Sequence, residues 1–175
     1  RWFCKKVLYT PVFCTVFGDY MKYTIRGDVL QVVDVELQAG EQVFTERGGM
    51  GWMSANVTME TNARGGLGKS IGRMFSGESF FLTTYGVSEG AGLVSFCNEF
   101  PGKIIPLELG QGEAMICQKD AFMLAESSVN VEAKFTKRFG AGLFGGEGFI
   151  LQQVTGPGKA FIEIAGEVTE YELSE

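Results

Sequence analysis

The segment ARGGLGKS, residues 63–70, sets a lysine and a serine behind a run of glycines. In a phosphate-binding loop, backbone N–H groups and a lysine such as Lys69 hold the phosphates, while a hydroxyl such as that of Ser70 takes magnesium. That chemistry also requires a buried strand before the loop and a substantial helix after it, with the helix N-terminus facing the anion. Here NVTMET alternates like a half-solvated strand, and SIGRMF is interrupted by Gly72 and gives way to SGES. We therefore read the loop as architectural. Lys69 and Ser70 stay as ligand-binding residues of an alternative reading only, in which a small molecule or nucleotide is bound by the Gly-rich loop 63–70 or by an inter-repeat cleft.

Other reactive groups fare no better. Glu78 and Glu147 each follow a glycine and precede an apolar strand, which suggests paired carboxylates for acid–base or metal chemistry, but a turn carboxylate accepting backbone N–H bonds explains them as well. Glu41 and Glu113, each after a glycine, are read as hairpin residues. The chain has no histidine, so the usual base for nucleophilic catalysis and the commonest metal ligand are both missing. Cys4, Cys14, Cys97 and Cys117 show no CxxC spacing. The expectation is no catalytic residue, no metal and no cofactor, with Cys97 and Cys117 as buried free thiols in a reducing, cytoplasmic compartment.

Net charge of −6 has the wrong sign for gripping a phosphate backbone, so nucleic acid is not an expected partner. An anionic membrane surface is disfavoured for the same reason. A local basic patch at Lys134, Lys137 and Arg138 reads as a solvated strand end. No run of about 18 uninterrupted apolar residues occurs, so no membrane-spanning helix is expected. Leu67, Ile71, Met74 and Phe75, echoed by Phe139, Leu143 and Phe144, form an apolar stripe suited to core packing or, as a minority reading, to a partner or membrane. Trp52, matched by Leu124, is read as a core anchor.

The elements behind these residues are strands in a repeated pattern. VELQAGEQVFTERGGMGWMS, residues 35–54, lies over LELGQGEAMICQKDAFMLAE, residues 107–126, and FSGESFFL, 75–82, over FGGEGFIL, 144–151. Each half should run strand, Gly-Glu turn, strand, turn, strand, glycine-rich loop, strand, turn, strand. MKYTIRGDVLQVVDVEL, from Met21, reads as a first strand, and residues 1–20 as an upstream extension. The division expected is a first repeat at 21–103, a second at 104–170, and the start of a truncated third at 171–175, where Tyr171 to Leu173 repeat the opening of the unit. The fold class is all-β: antiparallel sandwich or barrel units in tandem, pseudo-threefold, with short helical turns in the Gly-rich loops.

The ELxxGE turns, the GGLG loop, SGESFFL, FPGKIIPLEL and GGEGFIL followed by a TGPG turn closely resemble the bacterial family related to the mitochondrial altered-inheritance protein. The resemblance covers residues 21–175. It implies an all-β, pseudo-threefold fold similar to that of the tryptophan RNA-binding attenuation protein, and brings with it no catalytic residues. Function is read as a non-enzymatic scaffold or assembly module that binds itself or a protein partner. Calorimetric titration of ATP into wild type and Lys69→Ala is expected to show no Lys69-dependent heat; a signal lost with Lys69 would restore the phosphate-loop reading.

Overall fold

The computed structural model describes residues 21–46, 48–63, 81–135 and 150–169. The first half contains β1 (Lys22–Arg26), β2 (Val32–Gln38), β3 (Gln42–Thr45), β4 (Met50–Met53), β5 (Val57–Ala63), β6 (Phe81–Val87) and β7 (Ala91–Cys97). The second contains β8 (Gly102–Leu109), β9 (Ala114–Gln118), a 3-10 turn at Lys119–Ala121, β10 (Phe122–Glu126), β11 (Asn130–Phe135), β12 (Ile150–Thr155) and β13 (Gly158–Ala165). All pairings are antiparallel. They build a four-stranded sheet β1-β2-β7-β4, a six-stranded sheet β5-β6-β3-β10-β13-β8 and a three-stranded sheet β11-β12-β9. Among the described residues no sheet closes on itself, so the fold is sandwich-like and not a barrel.

Strand order follows the same rule in both halves. β2-β7-β4 has the connectivity of β8-β13-β10, and β5-β6-β3 that of β11-β12-β9. Local details recur too. In the first Gly-Glu turn, Gln38 donates its N–H to Glu41 Oε2 at 2.7 Å; in the second, Gly110 donates to Glu113 Oε2 at 3.0 Å. Both glutamates are hairpin residues, as their spacing predicts. Ser54 Oγ accepts from the Leu93 N–H at 2.9 Å, and Glu126 Oε2 accepts from the Lys159 N–H at 2.6 Å, tying β4 and β10 to the starts of their partner strands.

Two expectations need correction. The run from Met21 is two strands, not one: the chain reverses at Gly27, where φ is +92° and a Cβ would stand 2.7 Å from the Leu30 carbonyl oxygen, so β1 folds back onto β2. Apart from β1, each half also has six strands among the described residues, β2–β7 and β8–β13, where five are predicted. The additional ones are β4 and β10, and each carries a register shift, between Met50 and Trp52 and between Phe122 and Leu124. Such bulges break strict alternation, which is the signal by which a strand is recognised in sequence. The apolar stripe at 67–75 and 139–144 and the helical turns expected in the Gly-rich loops lie outside the described residues.

Burial explains the layering. In β2, Val33, Val35 and Leu37 are fully buried while Glu36 and Gln38 face outward, the period-two pattern of a sheet with one covered face. The six-stranded sheet is covered on both faces. Val43, Tyr85, Leu124 and Phe161 join one apolar cluster with Val33, Val35 and Phe96 of the four-stranded sheet. Their strand neighbours Phe44, Ala125, Ala160 and Ile162 join another with Val131 and Val154 of the three-stranded sheet. Edge-to-face contacts between Tyr23 and Phe161, and between Tyr85 and Phe96, reinforce the first cluster at 4.9 and 5.3 Å. Among the described residues no helix is long and apolar enough to cross a membrane.

Leu124→Ala is expected to lose about 2–5 kcal/mol by urea unfolding, because the site is fully buried and hemmed in by paired strands. Burial pushes the Tyr85 phenol above its ordinary value of 10.0. The unfolded chain therefore releases this proton first, and stability falls as pH rises from about 10 through the higher folded value. Tyr85→Phe should flatten that alkaline limb in chemical unfolding measured at several pH values, and an unchanged slope would exclude Tyr85 as its source.

Candidate functional site

The bulges of β4 and β10 face a common cleft of about 500 Å³. Gly48, Gly49, Met50 and Gly51 line one side of it, Phe96, Cys97, Asn98 and Glu99 come from the end of β7, and Phe122, Met123 and Glu163 come from β10 and β13. The cleft thus lies between the two halves of the chain. Bulges are common beside binding sites because the extra residue re-aims its neighbours and interrupts pairing. Here the shifted register brings Gly51 against β7 so closely that a Cβ would stand 2.7 Å from Cys97 Sγ. Cys97 is held by its N–H, which donates to the Gly49 carbonyl at 2.8 Å.

Asn98 is the unusual wall residue. It is only 8% exposed, and neither Nδ2 nor Oδ1 has a hydrogen-bond partner among the described residues. Its backbone is anchored: the Asn98 N–H donates to the Gln31 carbonyl at 2.9 Å, and Gln31 Oε1 in turn accepts from the Ile104 N–H at 2.7 Å. A buried amide left unpaired costs about 1–3 kcal/mol, so its retention calls for a reason. Glu163 Oε2 accepts the Glu99 N–H at 2.9 Å, which brings two carboxylate side chains to the same wall. Met50, Phe96, Phe122 and Met123 supply apolar and polarisable surface.

The residues singled out from sequence fall elsewhere. Lys69, Ser70, Glu78 and Glu147 lie outside the described residues, as do Cys4, Cys14, Lys137 and Arg138. Cys117 is buried, as expected, whereas Cys97 is only partly buried. Trp52 is not a core anchor: it is 44% exposed, with the Arg26 guanidinium 5.9 Å from its ring centre, while its counterpart Leu124 is fully buried. The cause is which sheet face is covered. Leu124 lies in the apolar cluster shared by the four- and six-stranded sheets, whereas Trp52 stands opposite Ser95 on the other face of the four-stranded sheet. Arg26 also pairs with Asp34, which accepts from Ser95 Oγ at 2.5 Å, so this outer face of the four-stranded sheet is a polar network around an exposed indole. Among the described residues no group of three or more acidic or cysteine side chains is placed to hold a metal.

Residues 23–175 match the family model described as mitochondrial biogenesis AIM24. The chain belongs to the AIM24 family. A relative from Streptococcus pyogenes, an uncharacterised protein, is 31% identical over 158 residues, covering 86% of this chain and 62% of its own length. The chain therefore spans less than two thirds of that curated relative. The crystal structure of a Streptococcus pyogenes protein, solved as a structural genomics target, is also similar, with a TM-score of 0.66 at 28% identity over 84% of this chain and 66% of that one.

No sequence signal marked Asn98 in this AIM24-family chain: it is a single asparagine at a strand end, and its burial comes from segments far away in sequence. Asn98→Leu is expected to be neutral or to raise stability by about 1 kcal/mol in urea unfolding, since it removes two unpaired polar atoms without a change in bulk. A clear destabilisation would mean that the amide is bonded in solution.

Proposed function

We propose that this AIM24-family chain is a non-enzymatic assembly module, built of two tandem β units, that associates by adding a strand to the outer edge of β4. The observation that carries this is the contrast between the equivalent strands β4 and β10. β10 receives β3 along its outer edge, with Ala125 opposite Phe44 and Glu126 opposite Val43. β4 presents the same edge with no strand against it among the described residues, and with Trp52 and Met53 44% and 38% exposed. Unpaired N–H and C=O groups beside apolar side chains are the usual acceptor for β-augmentation, in which backbone bonds supply affinity and side-chain pockets supply selectivity. An incoming strand in the place that β3 occupies beside β10 would satisfy those groups.

Absence of histidine from the sequence supports a role without acid–base chemistry. A second copy of the chain is the first partner to consider, because a strand able to dock on a β10-like edge is already part of this fold. Met53→Pro removes an N–H from the edge and Trp52→Lys places a charge on it, both of which oppose edge pairing. Sedimentation velocity over a concentration series should show reversible association of wild type that each variant weakens by about tenfold or more. Monomeric wild type, or association untouched by both variants, would remove β4 as the contact.

A further inference from the structure

We propose that the ligand of β4's outer edge is an extended peptide segment with an aromatic residue at one fixed place: it runs antiparallel to β4 and sets that aromatic opposite Met53, over Met50. This rests on the edge-association reading above, and adds to it the direction, the register and the side-chain chemistry of the incoming strand.

The chain holds its own template for that strand. β4 and β10 match position by position: Trp52 stands opposite Ser95 as Leu124 stands opposite Phe161, and Met53 opposite Val94 as Ala125 opposite Ala160. On β10's outer edge Phe44 lies opposite Ala125 and Val43 opposite Glu126, and the Ser127 N–H donates to the Gln42 carbonyl at 3.3 Å. Carried to β4, Phe44's place falls opposite Met53 and Val43's opposite Ser54, and the carbonyl in Gln42's place meets the Ala55 N–H. The backbone of β4 is set for this. The Ser54 N–H donates to the Leu93 carbonyl at 2.8 Å and so points at β7, which by strand alternation turns the Met53 N–H to the outer side.

Side chains supply the preference for an aromatic. Phe44 packs against Phe122 with ring centres 5.7 Å apart, and the residue in Phe122's place in β4 is Met50, opposite Phe96 as Phe122 is opposite Ile162. The seat under the incoming residue is therefore a pair of thioethers, Met50 and Met53, which make favourable contacts with a ring. Met53 shares its sheet face with Val94 of the first apolar cluster, so the ring extends that cluster. The residues on either side of the aromatic point to the opposite face, beside Trp52, where cross-strand pairing favours β-branched side chains. Another edge is closed to such a strand. In β8 the Gly102 N–H donates to the Val29 carbonyl and the Ile104 N–H to Gln31 Oε1, each at 2.7 Å, and Pro106, next in that alternation, has no N–H. Among the described residues β4 carries no comparable guard.

The probe is a blocked, fluorescein-labelled peptide of residues 40–46, GEQVFTE, added to the full chain. Fluorescence anisotropy should show saturable binding to wild type, which Phe44→Ala in the peptide, and Met53→Pro or Trp52→Lys in the protein, each weaken by about tenfold or more. Because Phe44→Ala is carried by the peptide, that arm does not depend on any variant of the chain folding. Disulfide trapping reads direction and register: a Ser54→Cys chain should capture the peptide bearing Val43→Cys in preference to the one bearing Thr45→Cys, with the linked residues assigned by peptide mapping. No binding to wild type, binding indifferent to the peptide's Phe44→Ala or to a folded edge variant, or capture that favours Thr45→Cys, as a parallel strand would give, would overturn the proposal. If wild type self-associates and Trp52→Lys weakens that association while the peptide fails to bind, the edge reading stands and the aromatic register falls.

Discussion

Main-chain pairing of β3 with β10 holds this molecule together as one object. Phe44 lies opposite Ala125 and Val43 opposite Glu126, a short contact that turns two three-stranded sheets into one sheet of six. Because the joined sheet is covered on both faces, successive residues must serve different apolar clusters. Val43 packs with the four-stranded sheet, while Phe44 packs against residues of the three-stranded one. That demand explains why β10 reads FMLA and β13 reads KAFI, apolar runs without the alternation of β2.

The cleft follows from the same junction. β10 shifts its register against β13 between Phe122 and Leu124, and β4 makes the matching shift against β7 between Met50 and Trp52. Where the two irregularities meet, backbone and side chains do not fill the space between the halves, and the end of β7 enters it. Asn98 is buried there with a competent donor and acceptor unused. Ser95, also fully buried, bonds to Asp34, and Gln152 pairs its Nε2 with Glu46 and leaves only Oε1 without a partner, so Asn98 stands out in leaving both amide atoms unpaired.

The difference between Trp52 and Leu124 follows from which face of each sheet is covered. Both side chains occupy the same place in equivalent strands, and their sequence contexts alone suggest a common fate. Leu124 is enclosed because its face of the six-stranded sheet packs into the cluster shared with the four-stranded sheet, and Trp52 is exposed because it stands with Arg26 and Asp34 on the outer face of the four-stranded sheet. Arg26, itself paired with Asp34, then shields the indole in part from above. An exposed aromatic beside an edge that no described strand covers is a surface suited to recognition.

Residue types and spacing alone were enough to determine the all-β class, the positions of most strands, and the two Gly-Glu turns. These features are local: a turn carboxylate reaches an N–H three residues away, and alternation is written within a strand. The two bulged strands were hidden because a bulge erases the period by which strands are read. Only the tertiary structure decided that Trp52 faces outward, that Asn98 is buried, and that Gly51, Cys97 and Met123 share one cleft. Those outcomes depend on which strands become neighbours across the length of the chain, and antiparallel edges of similar composition do not encode that choice in any single segment.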